Sequence, residues 1–298
     1  MKVKVTVKYL VCACLLLSSC MCAGTTAMAA SPDKTGYELV WEDDFDGDTL
    51  NRNHWNVEIN GSGCGNAELQ YYIDDTANVA VRNGNLVLTA RVQTYAGKEF
   101  TSGRVNTQGK VAFKYGIIEA RIKFPHTANG LWPAFWMMGN DIKEAGWPRC
   151  GETDILEMGH ADGIAAGRQE QLFNGAMHWG ESPDKHIQTV GACTNSYSLQ
   201  DGKYHTFSLL WTPEVIEMYV DGNDTPYLSV DISRNGENDV WKYFHKENFI
   251  LLNLAVGGNF PNIHNAEKIT ALKNGSAEML VDYVRVYQNK AIGITHRQ

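Results

Sequence analysis

Beyond its N-terminal leader, the sequence has few cysteines and no apolar run long enough to cross a membrane. Of its seven cysteines, only Cys64, Cys150 and Cys193 lie after residue 30. An odd number excludes a fully paired disulfide framework but leaves one disulfide of unassigned pairing open, and no C-x-x-C pair suggests a zinc site. Repeats, low-complexity tracts and Pro/Ser linkers are also missing. Residues 31–298 are therefore expected to form one domain, large enough to bury a core.

Positive charge is also scarce. The chain has 26 Lys and Arg against 34 Asp and Glu, a formal charge of −8 with neutral histidines. Three of the lysines and no acidic residue lie in the leader, so the body carries a charge of about −11. Such a balance argues against nucleic acid and anionic surfaces as partners and suits a neutral ligand.

Residues 1–30 are predicted to be an export leader with a short tether. Three lysines precede the apolar run Tyr9–Leu17, which is too short to span a bilayer. Two processing sites compete: Leu17–Cys20 resembles a bacterial lipobox, and Ala27–Ala29 is an A-x-A cleavage signal. The lipobox is favoured because it adjoins the apolar run. We therefore expect an outer-membrane lipoprotein in preference to a periplasmic or secreted form, touching the membrane only through a lipid on Cys20.

The body is patterned as β-strands. Runs rich in β-branched and aromatic residues alternate with turn signals, of which Asn83-Gly84 and Asp221-Gly222 are typical of tight hairpins. Short helical turns are predicted only near residues 239–243 and 265–272. Many strands and few helical windows in one domain favour an all-β fold, a large antiparallel sandwich.

Three carboxylates lie within six residues in the segment Glu152–Glu157. Strand side chains alternate faces, so Glu152 and Asp154 point the same way and Glu157 is out of phase by one residue. A β-bulge at Ile155-Leu156 would bring all three to one face. The Cα atoms of the two glutamates would then lie roughly 13 Å apart, and their inward-leaning carboxyls roughly 5 Å apart. A retaining glycosidase separates its nucleophile and acid/base by about 5–5.5 Å.

The close spacing has a chemical consequence and leaves alternatives. Like charges resist joint ionisation, so one carboxyl should keep a proton near neutral pH. A hydrogen-bonded acidic patch or a cation site on a sheet face would use the same residues without catalysis.

Tryptophans cluster around the acidic segment. Indole faces suit the C–H faces of sugars, and Trp132, on a predicted loop, is the strongest candidate platform. Trp136 is ambiguous, because one residue of phase decides whether it faces a cleft or the core.

The segment Gly151–Met158 resembles the E-x-D-x-x-E signature of glycoside hydrolase family 16, in its laminarinase-like branch of bacterial endo-β-1,3- and β-1,3(4)-glucanases. The resemblance extends along the chain in an ordered set of motifs. These are Leu39–Gly47, Gly65–Tyr72, Thr101–Arg104, Lys114–Gly116, Leu131–Met138, Asn253–Asn259 and Val281–Tyr287.

This resemblance implies a β-jelly-roll sandwich of two antiparallel sheets with a concave substrate cleft. It assigns Glu152 as nucleophile, Glu157 as acid/base and Asp154 as an assisting residue. The positions that resemble the family's sugar-binding sites are Asn66, Glu68, Arg104, Trp132, Trp136 and His178. Their alternative roles are structural: an ion-pair partner for Arg104, a core position for His178, and loop caps for Asn66 and Glu68.

The family chemistry needs no cofactor for catalysis, but many members carry a structural calcium. Carboxylates of Glu42 and Asp282 and the carbonyl of Gly84 are its candidate ligands here.

The sequence thus predicts an exported, monomeric, retaining endo-glycosidase that cleaves β-1,3-glucan, mixed-linkage β-1,3/1,4-glucan, or both. Two alternatives stay open: the same fold acting on another polysaccharide such as agar, and a jelly-roll protein that binds carbohydrate without cleaving it. A metal-centred site is disfavoured, because the histidines show no ligand spacing.

Overall fold

The computed structural model describes residues 32–297. The predicted processing sites at Cys20 and Ala29 lie outside these residues. Within the described range, none of the helices has the length and apolarity of a membrane-spanning helix.

Two sheets face each other, and we call them the cleft sheet and the back sheet. The cleft sheet consists of β2 (Asn56–Val57), β7 (Arg104–Asn106), β8 (Val111–Lys114), β10 (Leu131–Gly139), β11 (Glu152–Met158), β12 (Leu172–Gly180), β13 (His186–Thr194), β17 (Asn248–Val256) and β19 (Ile294–Arg297). The back sheet consists of β1 (Glu38–Asp43), β3 (Gln70–Tyr72), β4 (Val79–Val81), β5 (Leu86–Tyr95), β6 (Lys98–Ser102), β9 (Gly116–Lys123), β14 (His205–Trp211), β15 (Val215–Val220), β16 (Leu228–Asp231) and β18 (Ser276–Gln288).

Each sheet joins strands that follow one another in the chain with strands that are distant in the sequence. The cleft sheet runs β13-β12-β11-β10-β17-β7-β2, with β8 between β17 and β19. The back sheet runs β16-β15-β14-β9-β18-β5-β6-β3, with β1 on β18 and β4 on β5. Pairing is antiparallel apart from β3 with β6. The predicted all-β jelly-roll sandwich is confirmed.

Helical structure is short and lies in connections. The helices are α1 (Ile142–Ala145), α2 (Ala161–Ala166) and the 3₁₀ turns Pro183–Lys185, Glu237–Lys242 and Ala266–Lys268. The last two fall within or beside the predicted helical windows. The hairpin at Asn83-Gly84 also forms as predicted: both residues have positive φ, and Arg82 and Asn85 exchange backbone hydrogen bonds of 3.0 and 3.1 Å.

The alternation of β10 shows how the two faces of the cleft sheet differ. Phe135 and Met137 are fully buried between the sheets, in the main core. Trp136 and Met138 point to the other face and join a smaller apolar cluster with Leu251 of β17. This smaller cluster supports the floor of the cleft.

Candidate active site

The predicted β-bulge is present in β11. Against β12, Asp154 pairs with Ala176 and Glu157 with Asn174, so three steps on β11 match two on β12. Against β10, Asp154 and Leu156 pair with the adjacent residues Trp136 and Phe135. Ile155 and Leu156 are buried in the core, while Glu152, Asp154 and Glu157 all line one cleft. The prediction that the bulge brings the three carboxylates to one face is confirmed.

Each glutamate of the bulged strand accepts a hydrogen bond from an indole. Trp132 Nε1 donates to Glu157 Oε1 at 3.0 Å, and Trp147 Nε1 donates to Glu152 Oε2 at 2.7 Å. Trp132 lies on β10, beside β11, whereas Trp147 lies on the loop before β11 and reaches back over it. The indoles therefore orient the two carboxyls from different elements.

Asp154 lies at one end of a line of side chains. His178 Nε2 is 3.2 Å from Asp154 Oδ2, and His178 Nδ1 is 2.8 Å from His186 Nε2. The two imidazoles are nearly parallel, with ring centroids 5.0 Å apart. This arrangement directs one ring nitrogen of His178 at Asp154, and it links the buried carboxylate to the edge strand β13.

Burial raises the pKa of all three carboxyls. Burial and then the charge of Asp154 raise the pKa of Glu152 to about 8, against the opposing effects of His178 and the Trp147 N–H. Burial also raises the pKa of Asp154 to about 7, partly offset by its hydrogen bond with Glu152. Burial, followed by the Asp154 charge, raises the pKa of Glu157 well above its usual range. Such a carboxyl keeps its proton near neutral pH, as a general acid must.

Five of the six predicted sugar-binding residues line the same cleft, which encloses about 770 Å³. These five residues are Asn66, Arg104, Trp132, Trp136 and His178. Trp136, whose orientation the sequence left open, faces the cleft and not the core. Its indole N–H donates to Asn253 Oδ1 at 2.8 Å, and its ring lies under the Arg104 guanidinium.

Glu68 differs from the prediction. It is only 4% exposed and does not line the cleft. Its carboxylate accepts hydrogen bonds from Gln70 Nε2 at 2.5 Å and from the Tyr72 hydroxyl at 3.1 Å. Both donors lie on β3 and hold the carboxylate beneath the cleft wall, so the structure gives Glu68 a supporting position instead of direct contact with the cleft.

Trp132 also has a more enclosed position than an open platform needs. Its ring stacks on Phe260 with centroids 4.7 Å apart, and it is 8% exposed. Trp147, by contrast, is 39% exposed. Trp147 therefore offers the larger free indole surface, while Trp132 mainly supports Glu157.

Several cleft residues were missed from the sequence. His186, Gln188 and Val190 project into the cleft from the edge strand β13, and Phe260 and Asn259 reach it from the loop after β17. Alternate residues of one strand share a face, so a strand assignment for residues 186–194 would have identified the first three.

The calcium prediction remains untested. In the described structure Glu42 Oε2 lies 3.2 Å from Arg285 Nε, and Asp282 Oδ2 lies 2.6 Å from Arg121 Nη1. Each carboxylate thus has an arginine as its partner, and a calcium ion here would have to share or displace that contact.

The one disulfide that the sequence left open does not form among the described residues, in which Cys64, Cys150 and Cys193 are free thiols.

A family model described as the GH16 domain of β-porphyranases A–D matches residues 40–289. The chain belongs to glycoside hydrolase family 16. Among solved family 16 structures, it is 42% identical to the Bacteroides ovatus mixed-linkage glucan PUL enzyme in complex with a G4G4G3G product. That match has a TM-score of 0.73 and covers 83% of this chain and 99% of the other.

Two of the curated relatives that the chain matches are glucan endo-1,3-β-glucosidases. A glucan endo-1,3-β-glucosidase of Cryptopygus antarcticus is 38% identical, over 74% of this chain and 81% of its own. Glucan endo-1,3-β-glucosidase A1 of Niallia circulans is 33% identical over 87% of this chain. Two curated relatives are much longer than this chain. The chain spans 39% of the length of the Niallia circulans enzyme and 34% of the length of another relative.

Proposed function

We propose that this family 16 chain is a retaining, endo-acting β-glucanase that cleaves β-1,3-glucan, mixed-linkage β-1,3/1,4-glucan, or both. The observation that carries the proposal is the bulged strand β11, which presents Glu152, Asp154 and Glu157 together in an open cleft. A site that only bound sugars would not need two half-buried glutamates with raised pKa values on one strand.

The chemistry is a double displacement. A carboxylate oxygen of Glu152 attacks the anomeric carbon while Glu157 gives its proton to the departing glycosidic oxygen, so that one C–O bond forms as the other breaks. Glu157, now ionised, takes a proton from water, and the water oxygen replaces Glu152 at the anomeric carbon. Two inversions leave the configuration unchanged.

The surroundings support these roles. Trp147 N–H, His178 and Arg104 each favour the ionised form of Glu152, which is the form that attacks, but burial outweighs them and keeps Glu152 largely protonated until the pH approaches its pKa of about 8. Asp154 lies between the glutamates, and its charge raises the pKa of both. The charge of Glu152 also raises the pKa of Glu157, so Glu157 holds its proton more tightly once Glu152 has ionised.

The choice of substrate draws on the cleft and on the relatives. An open cleft with an exposed indole suits an internal segment of a neutral polysaccharide. The B. ovatus enzyme, whose name specifies mixed-linkage glucan, and the two endo-1,3-β-glucosidases favour a β-glucan. The description of the matching family model instead names a porphyranase, which keeps a red-algal galactan as the second candidate.

Hydrolysis assays distinguish these readings. Wild-type protein is incubated with laminarin, barley mixed-linkage glucan, agarose and porphyran, and the products are profiled. Oligosaccharides from either glucan are expected, with a β-anomer as the first product by proton NMR.

Glu152→Gln and Glu157→Gln should abolish turnover while retaining oligosaccharide binding, and the surface variant Glu99→Gln should behave as wild type. Turnover of the galactans alone, an initial α-anomer, or an active Glu152→Gln would refute the proposal.

We further propose that the protein is exported as a monomer anchored to the outer membrane by a lipid on Cys20. The support is the lipobox-like Leu17–Cys20 after the apolar run. Cys20→Ser should move the protein from the membrane fraction to the soluble fraction. Continued anchoring of that variant would contradict the lipobox, and size-exclusion chromatography tests the monomer.

A further inference from the structure

One side chain connects the back sheet to the bulge. The Tyr227 hydroxyl donates a hydrogen bond to the backbone carbonyl of Ile155, the residue at the β11 irregularity. Tyr227 directly precedes β16 at the edge of the back sheet, and its backbone N–H donates to Met218 O of β15 at 2.8 Å. Its ring packs edge-on against Phe173 in the core. Tyr227 is thus anchored in one sheet and bonded to the strand of the other sheet that carries the carboxylates.

Two paired glycines make room for this connection. Gly175 of β12 and Gly191 of β13 are register partners, and Gly175 lies opposite the bulged residues. A Cβ on Gly175 would lie 2.7 Å from Tyr227 Cε2, and a Cβ on Gly191 would lie 2.5 Å from Tyr227 O. Neither glycine has a positive φ, so space and not backbone conformation requires them.

The register of β11 makes the bulge chemically important. A slip of one residue in a strand moves its side chains to the opposite face, so loss of the bulge would turn Glu157 away from Glu152. Bulged residues are left out of the regular ladder, and a buried carbonyl without a donor is costly. Tyr227 supplies a donor at this point. Burial raises the pKa of Tyr227, which keeps the hydroxyl protonated.

We propose that Tyr227 is a positioning residue, which holds the Ile155 bulge from behind and thereby sets Glu157 opposite Glu152. The inference rests on the proposed glycosidase function, because it explains how that pair is aligned. It concerns a residue outside the cleft, with no contact to the carboxylates themselves.

The test is Tyr227→Phe, which removes one hydroxyl and keeps the ring. The expected result is a fall in kcat of about tenfold or more with KM within about twofold, since small misplacements of catalytic groups mainly cost turnover. The pKa of Glu157, followed by carbon NMR of labelled glutamate carboxyls and assigned with Glu157→Gln, should fall as the carboxyl moves away from Asp154.

The matched control is Tyr283→Phe. Tyr283 donates to the buried Glu119 at 3.0 Å in the back sheet, so this variant loses a comparable hydrogen bond away from β11. Its melting temperature should fall as in Tyr227→Phe, but kcat and the Glu157 titration should match wild type. If both variants fold and give the same kcat and the same titration, Tyr227 has only a structural role and the proposal is overturned.

Two further arms keep the result interpretable. If Tyr227→Phe fails to fold, Gly175→Ala replaces it, because the added methyl would lie 2.6 Å from Met218 Sδ and 2.7 Å from Tyr227 Cε2 and so displaces both side chains. An unchanged kcat in that variant overturns the proposal. If the wild type cleaves none of the polysaccharides, the proposed function fails. The carboxyl titration, which needs no substrate, still decides the role of Tyr227 in that case.

Discussion

Replacing the proposed nucleophile should make the protein more stable, and by an amount that depends on pH. The pKa of Glu152 is about 8 in the folded protein against 4.5 for a free glutamate, with burial as the main cause. A group with a raised folded pKa stabilises the fold fully below its unfolded pKa and loses that contribution as pH rises towards the folded pKa. Glu152→Gln keeps the shape of the protonated acid, and it has no proton to lose.

The magnitude follows from linkage. At pH 6.5 the unfolded chain has ionised this group and the folded chain has not, and one pKa unit corresponds to about 1.4 kcal/mol. Two units between 4.5 and 6.5 give about 3 kcal/mol as an upper value, and sharing of protons with Asp154 reduces this to about 2 kcal/mol. For a domain of this size, that is a rise in Tm of roughly 4–8 °C. At pH 4 the gain should vanish.

The assay is thermal or urea unfolding of wild type, Glu152→Gln and the exposed β6 variant Glu99→Gln at pH 4, 5.5, 6.5 and 7.5. The difference between Glu152→Gln and wild type should grow with pH, while Glu99→Gln stays within about 0.5 kcal/mol of wild type. The same Glu152→Gln protein should lack hydrolytic activity, so that stability and function change in opposite directions. A gain that is independent of pH, or a loss at pH 6.5, would show that burial does not raise this pKa.

Two further predictions concern the pH–rate profile. Asp154→Asn should move both limbs of the kcat/KM profile to lower pH, because the Asp154 charge raises the pKa of both Glu152 and Glu157; unmoved limbs would contradict that coupling. Trp147→Phe removes the 2.7 Å hydrogen bond to Glu152 and should lower kcat/KM about tenfold while moving the acidic limb to higher pH. A Trp147→Phe enzyme with reduced kcat/KM but an unshifted acidic limb would mean that the indole only binds sugar.

The bulged strand was predictable because its information is local. Alternation of strand formers and carboxylates over Glu152–Glu157 requires an extra residue if the acids are to share a face, and the structure has it at Ile155-Leu156. The hairpin at Asn83-Gly84 was equally local, because two residues that tolerate positive φ specify the turn. In each case a few neighbouring residues determine the geometry.

The parts that were missed depend on contacts between distant segments. Trp147 reaches Glu152 because the loop before β11 folds back over the strand, and no pattern in that loop indicates its path. Glu68 belongs to a cleft motif, yet Gln70 and Tyr72 draw its carboxylate beneath the wall. The contribution of His186 required knowledge that β13 pairs with β12 at the edge of the cleft sheet.

The two glutamates accept hydrogen bonds from different kinds of element, one a strand and the other a loop. Trp132, which orients Glu157, belongs to β10 and stacks on Phe260 within the packed cleft sheet. Trp147, which orients Glu152, belongs to a connecting loop. That loop is tied by Lys246, whose ammonium contacts Asp141 at 2.7 Å and the carbonyl of Arg149 at 3.0 Å.

An acid/base must keep one position through both displacement steps, because it first gives and then takes a proton. A nucleophile instead changes from a free carboxylate to an ester and back, so its hydrogen-bond donor has to adjust during the cycle. Trp132, a donor on strand β10 that stacks on Phe260, fits the first requirement. Trp147, a donor on a loop, fits the second, and this asymmetry supports the proposed roles of Glu152 as nucleophile and Glu157 as acid/base.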